Sequence, residues 1–195
     1  MQSTKKILII QGNPDNDSYS KALALAYKQG AEKAGHEVTL LTLNHLQFNP
    51  VLQHGYKQRT PWEPDLEMAW EKIRECHHMV WVYPTWWGTL PALLKGFIDR
   101  LFLPGKTFQY RQGSVLWDKL LKGKTARLIT TMDSPAWYNW LVYRSAGHHA
   151  MKNATLEFCG VKPVKITTIA NLRRLKKKQR ELWLNKVTAL GHRAR

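Results

Sequence analysis

Apolar positions along the chain fall into two alternating rhythms. Short, nearly continuous apolar runs occur at Lys5–Gln11, Glu37–Leu43, Met79–Tyr83, Thr125–Thr131 and Val164–Ile169. Each has the length and β-branched content of a strand. Ile7-Leu8-Ile9-Ile10 has no polar interruption, as a central parallel strand covered on both faces requires. Val164–Ile169 is partly polar, which suits an edge. Pro84 stops the third run, because proline has no N–H for a sheet ladder.

Between the runs the spacing turns helical. Leu23, Ala26, Tyr27, Gly30, Ala31 and Ala34 define a helix over Ser18–Ala34, capped by Asp17 or Ser18 and ended by Gly35. Leu66, Ala69, Trp70 and Ile73 define one over Asp65–Glu75. Leu93, Leu94, Phe97, Ile98 and Leu101 define a third, started by Pro91. A fourth spans Ala150–Cys159 and ends at Gly160. The last carries Leu182, Trp183, Val187 and Leu190 on one face. Strands alternating with helices predict an α/β fold: one doubly wound, five-stranded parallel sheet between two helical layers, formed by residues 1–195 as a single domain.

In such a sheet, ligands bind at the carboxyl ends of the strands, and three connections gather there. The first, Gly12–Asp17, contains no G-x-G-x-x-G and no G-K-[ST], so neither a dinucleotide fingerprint nor a P-loop is supported. It is small and polar, and it feeds a helix N-terminus at Ser18, Tyr19 and Ser20, where free N–H groups and the helix dipole suit a phosphate. The second, Thr85–Leu90, holds Trp86 and Trp87, which either cover a flat apolar ligand or plug the sheet end. The third begins Thr130-Thr131-Met132-Asp133. Asn44–Pro64 is long and irregular, a length usually functional or interfacial. Ala136–Tyr143 is strongly aromatic and suits a flat pocket, core or a subunit contact. The adjacent His77 and His78 do not converge on one ion and read as structural; no metal site is expected.

Charge complicates the picture. Thirty Lys and Arg against 14 Asp and Glu give a net +16. A nucleic-acid or anionic membrane surface is one reading. The basic residues are scattered, except at Arg173–Arg180, and no nucleic-acid module is recognisable. A solubilising surface that attracts anionic cofactors fits better. No apolar run reaches the roughly 20 residues of a membrane span. Met1–Lys6 leads directly into the first strand, so no signal peptide is expected. The two cysteines, Cys76 and Cys159, form no C-x-x-C pair. A cytoplasmic location follows as the expectation.

The segment Tyr83-Pro-Thr-Trp-Trp-Gly-Thr-Leu-Pro-Ala-Leu-Leu-Lys-Gly-Phe-Ile-Asp-Arg100 resembles the signature of the flavodoxin-like NAD(P)H:quinone oxidoreductases, without a gap from Pro84 to Gly96. Phe102–Tyr110 resembles that family's Pro-Gly-x-x-Phe-x-Tyr excursion, and Phe158-Cys159-Gly160 matches another landmark. The resemblance implies a flavodoxin-like fold and a bound flavin, FMN or alternatively FAD. Its phosphate would lie at Ser18, Tyr19 and Ser20, with Asn13 where many members carry a histidine. Its ring would lie along Pro84, Thr85, Trp86, Trp87 and Gly88, and against Thr131, Met132 and Asp133. Many members have glycines at the last two positions.

The implied activity is two-electron, ping-pong reduction of a quinone or similar flat acceptor by NAD(P)H, in a homodimer. Relatives use a tyrosine and a histidine to assist hydride transfer, and Tyr138 and His148 are the candidates. Two alternatives share the fold: an ancillary subunit of a potassium-efflux system, and a flavodoxin-type electron carrier. Flavodoxins are generally acidic, unlike this chain.

Overall fold

The structure, a computed structural model, describes residues 4–194. Residues 1–3 of the stretch expected to carry no leader lie outside the described residues.

Five parallel strands form the main sheet: β1 (Lys6–Gln11), β2 (Glu37–Thr42), β3 (His78–Pro84), β6 (Thr125–Thr131) and β7 (Val164–Ile169). Their order is β2-β1-β3-β6-β7, which puts β3 at the centre and β7 at an edge. Every residue of β3 is buried. The strand is longer than its apolar run. His78 opens it, buried with its Nδ1 2.7 Å from Thr125 Oγ1. Pro84 closes it, opposite Thr131.

Two strands escaped the periodicity. β4 (Phe108–Tyr110) and β5 (Trp117–Lys119) pair antiparallel as a separate ribbon. Three-residue strands are too short to show alternation.

Alternate residues of each strand face opposite layers. Leu8, Ile10, Met79, Trp81, Tyr83, Ala126 and Leu128 pack under α2 (Pro64–Glu75) and α3 (Ala92–Leu101). Pro91 caps α3 rather than entering it. Ile7, Ile9, Val80, Val82 and Ile129 pack under α1 (Tyr19–Lys33) and α6 (Lys177–His192). These two helices lie backbone to backbone. A Cβ on Gly30 would sit 1.9 Å from Thr188 O, and one on Gly191 would sit 2.1 Å from Tyr27 O.

The segment after β2 is held by one buried cation. Arg100, 1% exposed, bonds Glu63 at 2.8 Å, Pro61 O at 2.8 Å and Asn49 O. Burial pushes the Glu63 carboxyl up, but Arg100 and the Asn49 N–H outweigh it and hold the carboxyl below its usual range. Removing one member of such a pair typically costs ~3–5 kcal/mol. A long loop thus stays ordered with little regular structure, only a 3₁₀ turn at Leu43–His45.

After β6 come α4 (Ala136–Leu141) and α5 (Ala146–His149). The helix expected from Ala150 starts earlier and is π-helical over Ala150–Glu157. Among the described residues, no helix is long and apolar enough to cross a membrane, and no group of metal-ligating side chains assembles.

Candidate active site

Three connections meet at the carboxyl edge of the sheet. The first is shaped by its own polar side chains. Asn13 Oδ1 accepts from the Asp15 N–H at 3.0 Å, and Asp15 Oδ1 from the Asp17 N–H at 2.9 Å. Ser18 caps α1, its Oγ accepting from the Lys21 N–H at 3.3 Å. The first main-chain bond of the helix also comes from Lys21, to Ser18 O at 3.0 Å. The N–H groups of Tyr19 and Ser20 precede it, and no acidic residue occupies the first turn. This is an electropositive nest of free donors. The Tyr19 hydroxyl does not contribute to it, because it donates to Arg180 O at 2.7 Å.

The second connection is a tight reverse turn. Trp86 and Thr89 exchange two main-chain hydrogen bonds, each 3.0 Å. Trp87 and Gly88 between them have φ of +49° and +76°. Positive φ at both central positions defines the type I′ turn, which favours Asn-Gly. A tryptophan in the left-handed region is unusual, and such strain clusters at functional sites. Its side chain is 101% exposed, and that of Trp86 45%. Trp87 therefore plugs nothing, and the core-plug alternative fails for it. The turn is anchored on both sides. The Thr85 N–H donates to Thr131 O at 2.7 Å. On the other side, a Cβ on Gly147 would lie 2.5 Å from Gly88 O, so only glycine allows α5 to pack this closely.

The third connection carries Met132, 3% exposed, whose N–H donates to Ile169 O at 3.0 Å and whose carbonyl accepts from the Leu172 N–H at 3.0 Å. Asp133 holds Arg173 through its backbone N–H (3.2 Å) and its Nε (2.8 Å). Sequence reasoning assigned neither Arg173 nor Arg180 to this edge. Both lie in the basic run, which reads as a solvated helix start.

The two catalytic candidates occupy different settings. His148 is half-buried, with Nε2 3.2 Å from Thr130 Oγ1 and 3.4 Å from Thr168 Oγ1. Burial, then the neighbouring His149, hold its pKa below the usual range. Through Gly147 it sits directly behind the Trp86–Thr89 turn. Tyr138 packs edge-on against Trp137 and Tyr143, with ring centroids 5.6 and 5.1 Å away. No hydrogen bond joins it to His148. It belongs to an aromatic wall in which Trp137, Trp140, Leu141, Val142 and Tyr143 are all exposed.

A five-stranded parallel sheet in the order β2-β1-β3-β6-β7, with helices on both faces, defines the flavodoxin class of α/β protein. The chain belongs to the Flavodoxin-like fold family, whose model matches residues 5–189. It is 27% identical over 186 residues to an NAD(P)H oxidoreductase of Haemophilus influenzae, covering 91% of this chain and 89% of that one. It is 26% identical over 187 residues to human ribosyldihydronicotinamide dehydrogenase [quinone], covering 81% and 78%. Among solved structures, Smu.1420 from Streptococcus mutans superposes with a TM-score of 0.83 at 27% identity, over 96% of this chain and 99% of that one. NAD(P)H:quinone oxidoreductase from Methanothermobacter marburgensis gives 0.82 at 22% identity, over 97% and 96%, a likeness of fold.

Proposed function

We propose that this protein is a flavin-dependent NAD(P)H oxidoreductase that reduces quinones, or similarly flat acceptors, by two electrons. The observation that carries this reading is the juxtaposition of two features at one sheet edge. One is a helix start with free N–H groups and no acidic side chain in its first turn. The other is an aromatic turn whose Trp87 indole is covered by nothing among the described residues.

The residues present fit a phosphorylated flavin. Ser18, Tyr19 and Ser20 would hold its phosphate through the N–H groups and the Ser18 hydroxyl. Pro84–Gly88 and Thr131–Asp133 would flank the ring. A bound flavin accepts a hydride and passes two electrons on, and the protein supplies orientation and electrostatics. Trp87 and Gly88 make no main-chain bond within the turn, so their N–H groups are available to a polar ring edge. Trp87 offers a flat face to a planar donor or acceptor. His148, held neutral by burial, can exchange a proton near this edge. The FMN-complexed azoreductase of Bacillus anthracis, which shares the fold at a TM-score of 0.75, supports FMN as the flavin.

The exposed wall from Trp137 to Tyr143 and the exposed Trp87 support a homodimer, since contiguous apolar surface of this kind marks an interaction site. Light scattering at assay concentration gives a dimer on this reading. A monomer with full activity refutes the assembly.

The decisive experiment for the activity is a visible spectrum of purified protein reconstituted with FMN, followed by anaerobic NADH or NADPH. Bleaching of the flavin band, and its return on adding a quinone, is the expected result. A spectrum unaffected by either nucleotide refutes the enzyme and leaves a carrier. Absence of a bound flavin refutes both.

A further inference from the structure

The basic run contains one residue that is not a solvated charge. Arg180 lies in the first turn of α6, and its guanidinium turns back onto the 3₁₀ turn Leu172–Arg174 that precedes the helix. Its Nε donates to Leu175 O and its NH2 nitrogen to Leu172 O, each at 3.2 Å. These carbonyls stand at the two ends of that short turn: Leu172 O, which also accepts from the Leu175 N–H at 3.2 Å, opens it, and Leu175 caps its end. The guanidinium carbon also stands 5.7 Å from the centroid of the Tyr19 ring, a cation–π distance. The backbone carbonyl of Arg180 accepts the Tyr19 hydroxyl at 2.7 Å.

Each end of this clamp continues into the candidate site. Tyr19 is the first residue of α1, and its N–H is one of the free donors. The 3₁₀ turn is tied to the third connection. The Leu172 N–H donates to Met132 O at 3.0 Å, and the Arg173 N–H to Asp133 Oδ1 at 3.2 Å. One side chain therefore joins the connection after β1 to the connection after β6, from behind the site. Burial raises the Tyr19 hydroxyl's pKa despite the nearby guanidinium, so it remains a neutral donor.

We propose that Arg180 is a positioning residue that holds the free N–H groups of α1 in place against the Met132–Asp133 connection, and thereby makes the site select a phosphorylated flavin over one without a phosphate. This rests on the flavin reading above. A planar fork is essential to the geometry. Lysine is a point charge and cannot span two carbonyls while lying over a ring.

The test compares FMN with riboflavin, which lacks the phosphate, in the full chain. Dissociation constants are measured by flavin fluorescence for the wild type, Arg180→Gln, Arg180→Lys and Tyr19→Phe, with a thermal melt of each. Arg180→Gln is expected to weaken FMN about tenfold, on the scale of one charge-assisted hydrogen bond. Riboflavin affinity should stay within about twofold. Arg180→Lys should not rescue FMN. Tyr19→Phe, which deletes one hydroxyl and keeps the ring, should weaken FMN selectively and keeps the test decisive if Arg180→Gln fails to fold. Equal weakening of both flavins would reveal a merely structural residue, and rescue by lysine a bare charge. Either result, or unchanged FMN affinity, overturns the proposal while leaving the flavin reading intact. A wild type that binds neither flavin overturns both.

Discussion

Trp87 separates stability from function. It occupies the first central position of a type I′ turn with φ of +49°, and its side chain is fully exposed. Removing the indole creates no cavity. Trp87→Ala keeps the left-handed backbone and should stay within ~0.5 kcal/mol of the wild type, as exposed sites do. In a chain of this size that moves Tm by less than about 2 °C. Trp87→Asn goes further. A left-handed conformation costs a bulky residue ~1–2 kcal/mol, and Asn-Gly is the preferred pair for this turn. If Asn relieves about 1 kcal/mol, Tm should rise by about 2–4 °C.

Flavin chemistry should move the other way. Loss of an aromatic contact, worth ~0.5–1.5 kcal/mol beyond area, weakens FMN by up to about tenfold. Turnover should fall more, because a misplaced ring degrades hydride geometry. The assay pairs a thermal melt with single-turnover reduction of bound FMN by NAD(P)H. A core plug would instead cost ~3–5 kcal/mol, about 6 °C or more of Tm. A fall of that size, or a normal reduction rate in Trp87→Asn, refutes the reasoning.

Two further predictions follow from the same geometry. Ser18→Asp should preserve α1, because aspartate caps as well as serine, yet set a negative charge against the phosphate. FMN affinity should drop sharply while the melt is unchanged, and equal FMN affinity would remove the phosphate from this helix start. His78 gives a pH signature. Burial, then Lys5, Arg127, His36 and Lys165, lower its pKa to about 3. The unfolded chain takes this proton near pH 6.5, and the folded chain refuses it until about pH 3. Stability contributed by neutral His78 is therefore complete above pH 6.5 and lost as pH falls to about 3, by ~1.4 kcal/mol per unit. Urea midpoints measured against pH should show this slope, and His78→Asn should flatten it. An unchanged slope in the variant would assign it to other groups.

The sheet was readable from sequence because burial on both faces leaves long uninterrupted apolar runs, as in Ile7–Ile10 and Met79–Tyr83. The edge strand β7 was readable for the converse reason. The β4–β5 ribbon was not, since each of its strands is only three residues long and shows no period. Trp86 and Trp87 stood out by composition, but only the backbone distinguishes an exposed tip from a plug. The helix start proposed to hold a phosphate was legible as a small polar loop feeding a capped helix. Arg180 was not, because a basic run gives no sign of which member folds inward. Gly147 was equally silent. Its importance lies in the distance to Gly88 O, a contact between residues far apart in the chain.

The glycine contact between α1 and α6 has a mechanical consequence. Gly30 and Gly191 lie 11 positions beyond Tyr19 and Arg180 on their respective helices, or roughly 16 Å at 1.5 Å per residue. The two parallel rods are thus pinned at matching heights, once by backbone contact and once by the arginine. Neither can slide along its axis without disturbing both pins. A side chain introduced at Gly191, near the bottom of the molecule, would lever α6 outward and be felt at the upper pin. The C-terminal helix works as a strut whose foot sets the height of its head.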